Sequence, residues 1–245
     1  MVRPIYQNLI MLRDLLECSI VERTSRFTVV VDIGGAEAVA YLNNTGRLEG
    51  YLARGRKGFC IPLERSRARY RLVGVEDNGY AALVDTRLHE KSFEELVARD
   101  AIPWLRSCAL VRRGYPLHSS RIDYELKCRN RTTLVELKSA IMRFPDNFAG
   151  YPDAPTPRGR KHLEELAKFV SGGDRDAYVV FVAGIPNAKG FRLNCYIDKD
   201  ICKSIGNALE NGVKFKSINI YLDPYLKSIV FGDLDLPIDF GCCNL

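Results

Sequence analysis

The chain has 245 residues, enough for two compact domains each with its own core, and its 47% apolar content is ordinary for a globular protein. No apolar run approaches the roughly 20 residues of a membrane span, which excludes a helical membrane protein. Lys and Arg outnumber Asp and Glu by 36 to 30, a formal net charge of +6 that favours anionic partners such as nucleic acid.

The N-terminal stretch lacks the unbroken apolar segment of a signal peptide, because Arg13 and Asp14 interrupt it, so a cytoplasmic location is expected. The runs RFTVVVDIGG, EAVAYLNN, KGFCIPLE, YRLVGVED and YAALVDT alternate β-branched residues with turn signals, and Gly34-Gly35 supplies a hairpin connection. About five short strands in succession suit a small OB-like barrel, whose closure removes exposed edges. Near Asp85 the pattern changes, and the expected division is 1–85 for the barrel and 86–245 for a second domain. KSFEELVARDAIPWL has helical spacing, with Ser92 as N-cap and Glu95 completing a capping box. Strands are expected at Ala109–Gly114, Arg121–Lys127 and Thr132–Ser139. A helix follows at Arg158–Val170, then a buried strand at Tyr178–Ala183, a helix at Lys199–Asn211 ended by Gly212, and a strand at Phe215–Tyr221. The order α-β-β-β-α-β-α-β defines a mixed α/β domain.

Within this domain, SRIDYELKCRNRTTLVELKS reads as a hairpin. A two-residue loop at Arg129-Asn130 puts Cys128 opposite Arg131, Asp123 opposite Glu136 and Arg121 opposite Lys138. Ile122, Tyr124, Leu126, Val135 and Leu137 then share the apolar face. Opposed carboxylates repel and call for a cation or a basic neighbour. Two readings stay open on spacing alone: a salt-bridge ladder using the diagonals Asp123–Lys138 and Glu136–Arg121, or a divalent cation between the acids. Eight cysteines (18, 60, 108, 128, 195, 202, 242 and 243) contain no C-x-x-C, and the three histidines are scattered. Buried thiols acting as small hydrophobes are expected, with disulfides in an intracellular protein confined mainly to hyperthermophiles.

Asp123, a gap of twelve residues and then Glu136-Leu137-Lys138 resembles the D…(D/E)-x-K signature of the PD-(D/E)XK nuclease superfamily, whose core runs α-β-β-β-α-β. The resemblance implies that Asp123, Glu136 and the Leu137 carbonyl bind Mg²⁺ or Mn²⁺, and that Lys138 orients or deprotonates the attacking water. NNTGRLEGYL, RARYRLVGVE, SRIDYEL, VELKS, YPDAPTPRGRKHLEEL and AYVVFVAGIPNAKGFRLNCYIDKD occur in the order and spacing of the sugar fermentation stimulation protein A family. That likeness spans about Arg26 to Tyr221 and leaves the tail DFGCCNL outside it. It implies an OB-like barrel fused to a PD-(D/E)XK nuclease-like domain, with DNA as the partner.

Candidate DNA contacts follow from the basic segments. Asn44 and Arg47 lie in a polar turn that serves either as a tight barrel turn or as a base- or phosphate-contacting loop. Arg65, Arg67, Arg69 and Arg71 alternate, so a strand would project them from one face toward phosphates. Arg158, Arg160 and Lys161 open a helix after Pro157, where backbone N–H groups attract anions, and Arg121 adds to this group. His162 receives no catalytic role, and Glu94 or Glu95 is the candidate for a third acid. No Walker, Rossmann or hydrolase-elbow pattern is present. No acid pair is placed for glycoside chemistry. The expected activity is metal-dependent phosphodiester hydrolysis, the alternative a catalytically silent DNA-binding regulator of sugar metabolism genes.

Overall fold

The computed structural model describes residues 8–64 and 68–243. After β1 (Asn8–Met11), the strands β2 (Leu16–Ser25), β3 (Thr28–Ile33), β4 (Ala36–Leu42), β5 (Lys57–Pro62) and β6 (Tyr70–Asp77) follow. They pair in the order β4-β3-β2-β5-β6, and a parallel β4–β6 pairing closes the five into a barrel. Val29, Val31, Ala40, Leu42, Cys60 and Leu72 fill its interior at 0% exposure. The barrel's first strand is β2, whose sequence LECSIVERTS mixes charges with inward Cys18 and Ile20 and gives a weak pattern. The YAALVDT run gives instead β7 (Tyr80–Leu83), which pairs with β6 and leads the sheet out of the barrel toward β15 (Lys214–Asp223) through Ala81–Leu222.

Beyond β7 come α1 (Thr86–Ala98), β8 (Cys108–Leu117), β9 (Ser120–Cys128), β10 (Arg131–Ala140), β11 (Met142–Arg143), β12 (Phe148–Tyr151) and α2 (Pro157–Val170). They are followed by β13 (Arg175–Ala183), β14 (Gly190–Leu193), α3 (Ile201–Glu210), β15, β16 (Ser228–Phe231) and β17 (Ile238–Asp239). The sheet continues β15-β13-β10-β9-β8, with β10, β13 and β15 parallel and β9 and β8 antiparallel. The fold is thus mixed α/β, an OB-like barrel followed by the α-β-β-β-α-β order of the nuclease core. Parallel strands need both faces covered, and here α2 and α3 bury Leu163, Leu166, Phe169 and Ile205 on one side. On the other, α1 packs Leu88, Phe93 and Leu96 against Tyr124, Leu126 and Val135. A small sheet, β11-β12-β14-β17, adds Ala149 and Phe191, the latter stacked on Phe181 at 3.7 Å. Among the described residues no helix is long and apolar enough to cross a membrane.

Two local expectations are corrected. Helix α1 starts six residues before the Ser92 cap: Asp85 is the N-cap, accepting from the Leu88 N–H at 3.1 Å, and Ser92 lies buried in mid-helix. Asp85 is fully buried and paired with Arg71 at 2.9 Å, so this arginine turns inward rather than joining an exposed stripe. The cysteines also differ from the expected buried thiols. Only Cys18 and Cys60 are free and buried; Cys108 and Cys128 stand directly opposite in the β8–β9 ladder and form a disulfide. Cys195, Cys202, Cys242 and Cys243 meet at the C-terminal end, paired 195–242 and 202–243. Strand register and tail folding bring these partners together, and neither shows in sequence spacing.

Candidate metal centre and nucleic-acid interface

The β9–β10 hairpin has the register its alternation implies. The ladder runs from Cys128–Arg131 to Tyr124–Val135 and then opens. At the next step the Asp123 carboxylate accepts the Leu137 N–H (2.7 Å at Oδ2), and Glu136 Oε2 accepts the Asp123 N–H at 3.3 Å. Side-chain bonds have replaced the backbone ladder where two carboxylates meet. Because the N–H and C=O of one strand residue point to the same edge, the Leu137 carbonyl is directed to the Asp123 side of β10.

Glu136 is 3% exposed. Its Oε1 takes both Lys138 Nζ and His162 Nδ1 at 2.5 Å. Burial pushes this carboxyl up, but Lys138 and His162 outweigh it and hold Glu136 below the usual carboxylate range. The salt-bridge diagonals do not form. Lys138 bonds its own strand's Glu136, and Arg121 turns back to the Gly114 carbonyl at 3.1 Å. Asp123 behaves oppositely to Glu136: burial first and the Glu136 charge second push it up to about 7. The pair therefore holds one firm negative charge and a second that a proton or a cation must complete. Burial lowers and Glu136 more than restores the Lys138 pKa, which ends above that of a free lysine; Lys138 is an ammonium donor, unsuited to deprotonating water in this state.

Helix α2 delivers His162. The residue sits on the core-facing stripe with Glu165, Leu166 and Phe169, and its Nε2 accepts from Arg158 Nε at 3.4 Å, one turn earlier. This assigns the Nδ1 proton to the Glu136 bond. Gly159 allows the helix start to sit tight, since a Cβ there would collide with Thr156 Oγ1 and the Tyr151 hydroxyl. Asp198 anchors the same end by accepting the Thr156 N–H at 2.8 Å and pairing with Arg160. From α1, Glu90 stands at the rim of the cleft, its carboxyl raised by partial desolvation and by Glu94. The acid on this helix that faces the pair is thus Glu90, a turn before the expected position. Glu94 bonds the Tyr124 hydroxyl and Arg113, and Glu95 bonds Arg99.

These groups line a cleft of about 650 Å³ that also includes Arg26 and Thr45 from the barrel and Arg158 from α2. A second cavity of about 320 Å³ continues it between the 43–48 turn and the 151–156 loop. The two loops interlock: the Leu48 N–H donates to Asp153 Oδ2 at 3.2 Å, and a Cβ on Gly46 would collide with that carboxylate. Arg23 staples the turn from beneath, donating to the carbonyls of Asn44, Gly46 and Arg26.

The candidate DNA contacts divide sharply. Arg158 and Lys161 are exposed beside the pair, and both line a neighbouring groove with Arg121 and His118. Arg47 is half-exposed and bonded to Glu49, and Arg69 is exposed on the barrel at a distance from the cleft. Arg65 and Arg67 lie outside the described residues. Asn44 is buried, with its amide donating to the Val84 carbonyl and accepting from the Gly46 N–H, so it holds the turn instead of facing a ligand. Arg160 is likewise engaged by Asp198. Sequence reading passed over His162, Glu90 and Arg26. For His162 a signal existed: its place on the apolar stripe of α2 forces a polar ring into the core, where it needs a partner.

A closed barrel joined to an α-β-β-β-α-β unit, with paired acids on the central hairpin, places the chain in the class of OB-barrel proteins carrying a nuclease-like domain. Residues 21–84 match the SfsA N-terminal OB domain, and residues 87–225 match the sugar fermentation stimulation protein RE domain. The chain belongs to the sugar fermentation stimulation protein family. It is 35% identical to the homolog of Pyrococcus furiosus over 224 residues, covering 91% of this chain and 96% of the relative. With the Archaeoglobus fulgidus homolog it shares 37% over 220 residues, 90% of this chain and 93% of that one. The structure of Pyrococcus furiosus SfsA in complex with Ca²⁺ superposes with a TM-score of 0.90 at 33% identity, covering 95% of this chain and 99% of that one.

Proposed function

We propose that this protein binds DNA across the cleft between barrel and nuclease-like domain, holds Mg²⁺ or Mn²⁺ at Asp123, Glu136 and the Leu137 carbonyl, and hydrolyses phosphodiesters in the cytoplasm. In this reading residues 1–85 contain the nucleic-acid-binding barrel and 86–245 the catalytic unit. The observation that carries the proposal is the unequal acid pair: Glu136 kept ionised by Lys138 and His162, and Asp123 raised to about 7 beside it. A largely desolvated all-oxygen donor set, with Glu136 buried and Asp123 half-buried, that lacks one positive charge suits a hard divalent cation. The Pyrococcus furiosus relative, in complex with Ca²⁺, fits that preference for oxygen ligands.

The bound cation supplies charge neutralisation at the phosphate and acidification of a water molecule. The chain's own residues do the rest. Lys138 keeps its proton and lines the cleft while bonded to Glu136, so its charge favours the negative charge that builds on the phosphate. His162 donates Nδ1–H to Glu136, which fixes the carboxylate's rotamer and keeps it deprotonated. Arg158, Lys161 and Arg121, with Arg26 from the barrel, offer cations to the backbone on both sides of the pair. Glu90 faces the cleft from α1 as a further carboxylate.

Incubation of the purified chain with linear, supercoiled and single-stranded DNA in Mg²⁺, Mn²⁺ or EDTA, beside Glu136→Ala, tests the reading. Metal-dependent cleavage absent from the variant supports it. Salt-sensitive binding without cleavage under any condition removes the hydrolytic step and leaves the silent DNA-binding regulator. A binding constant unchanged between low and moderate salt removes the phosphate contacts.

A further inference from the structure

The four cysteines at the C-terminal end are not used by the acid pair, yet they converge on one point. Cys195 follows β14, Cys202 lies in the first turn of α3, and Cys242 and Cys243 sit on a single 3₁₀ turn after β17. The tail reaches them because β17 pairs in parallel with β14 and Asp239 bonds Arg192 at 2.7 Å. The sulfurs of Cys195, Cys202 and Cys242 all lie within 4.8 Å of one another, and Cys243 lies against Cys202. Held as two disulfides, the four sulfurs already sit together. Once reduced, they need move little to make a tetrahedral thiolate site, in which bonds of ~2.3 Å from zinc to sulfur set the sulfurs ~3.8 Å apart. An iron–sulfur cluster spreads its cysteines over separate irons and fits this close grouping less well.

We infer that Cys195, Cys202, Cys242 and Cys243 form a structural site for one thiophilic cation, zinc by preference, when the thiols are reduced. The newly made chain carries thiols, so no redox step is needed: four Cys thiols release four protons as their thiolates take up Zn²⁺. Four sulfur ligands close the coordination sphere, which makes the site structural and gives it no catalytic position. Its effect on the rest of the molecule runs through the loop it closes. Between Cys195 and Cys202 lies Asp198, which accepts the Thr156 N–H at 2.8 Å and pairs with Arg160 at the start of α2. That helix presents His162 to Glu136. The cation would therefore pin the tail and, through Asp198, hold the helix start that positions His162.

The test is the metal content of the full chain, purified under reducing conditions without chelator. The expected result is about one zinc per chain, retained in Glu136→Ala and lost in Cys202→Ser and in Cys243→Ser. Chelation should expose these four thiols to alkylation, and Co²⁺ added to the reduced apo protein should give tetrahedral thiolate absorption bands. Metal-free protein with these cysteines as two disulfides overturns the inference, as do four free thiols that bind neither Zn²⁺ nor Co²⁺. Zinc that follows Glu136 rather than the cysteines overturns it as well.

Discussion

Two aspartates, a buried one at the seam between barrel and nuclease-like unit and a half-buried one on the β9–β10 hairpin, are treated in opposite ways. At the seam, Asp77 takes the Tyr51 hydroxyl at 2.7 Å and Arg143 at 2.6 Å, with Asn78 on its other oxygen at 3.1 Å. On the hairpin, Asp123 has one backbone N–H and a second carboxylate beside it, and it rises to about 7. A buried charge with partners on every side locks two regions together; one left short of positive charge marks where a ligand belongs.

The largest effect that would sharpen this contrast is at the seam. Asp77→Ala removes the acceptor that Arg143 and Tyr51 share, leaving Arg143 only the Pro186 carbonyl, and the expected loss is about 3 kcal/mol of unfolding free energy in a denaturant titration. A loss below about 1 kcal/mol would show that the seam is held by packing alone.

Next in size is a pH effect from the same seam. His89 is 1% exposed and donates Nε2–H to the Leu83 carbonyl at 2.8 Å while Nδ1 accepts from Ser139. Burial lowers its pKa from 6.5 to about 4. Between these values the unfolded chain binds the proton and the folded one does not, so stability is lost as pH falls from 6.5 to 4. The ceiling is about 3 kcal/mol. Thermal unfolding of wild type and His89→Gln across that window should differ in slope; parallel curves would contradict a neutral buried ring.

Smaller again is Gly159→Ala, which forces a methyl against Thr156 and Tyr151. A cost of about 1–2 kcal/mol is expected, together with a shift of the His162 ring resonances, because the helix start must move. Least of all for stability is Asp123→Asn. Removing a carboxylate that repels Glu136 should leave the fold within about 1 kcal/mol of wild type or strengthen it, as at sites where function opposes stability. Serious destabilisation by Asp123→Asn would mean that the pair is scaffold and the contrast with Asp77 is false.

The hairpin was legible because two local rules agreed. Alternation sorted the faces, and a two-residue loop set the register, so Asp123 and Glu136 could be placed opposite each other before any tertiary contact was known. The main strands and helices of both units were legible for the same local reasons, but β2 was missed because its charged outer face hides its inward residues. The short strands β1, β11, β12, β14, β16 and β17 were missed as well, and α1 begins at Thr86 rather than after Ser92. Reading failed where a partner is distant in sequence. Asn44 and Arg160 look like ligand contacts until Val84 and Asp198 arrive from elsewhere in the fold. His162 looked incidental because Glu136 lies 26 residues away on another element. The cysteine pairings depended on strand register and on where the tail returns. The basic stripe broke at Arg71, whose place in the alternation gave no hint of Asp85 behind it.

The central claim is that Asp123 and Glu136 together hold a divalent cation, and calorimetric titration of Mn²⁺ into the DNA-free protein tests it most directly. A proton and the cation compete for Asp123, so affinity should rise close to tenfold per pH unit below about 7 and level off above it. Asp123→Asn should abolish the binding and its pH dependence while the fold persists. Binding that is flat across pH 6–8, or that survives in Asp123→Asn, would contradict the account.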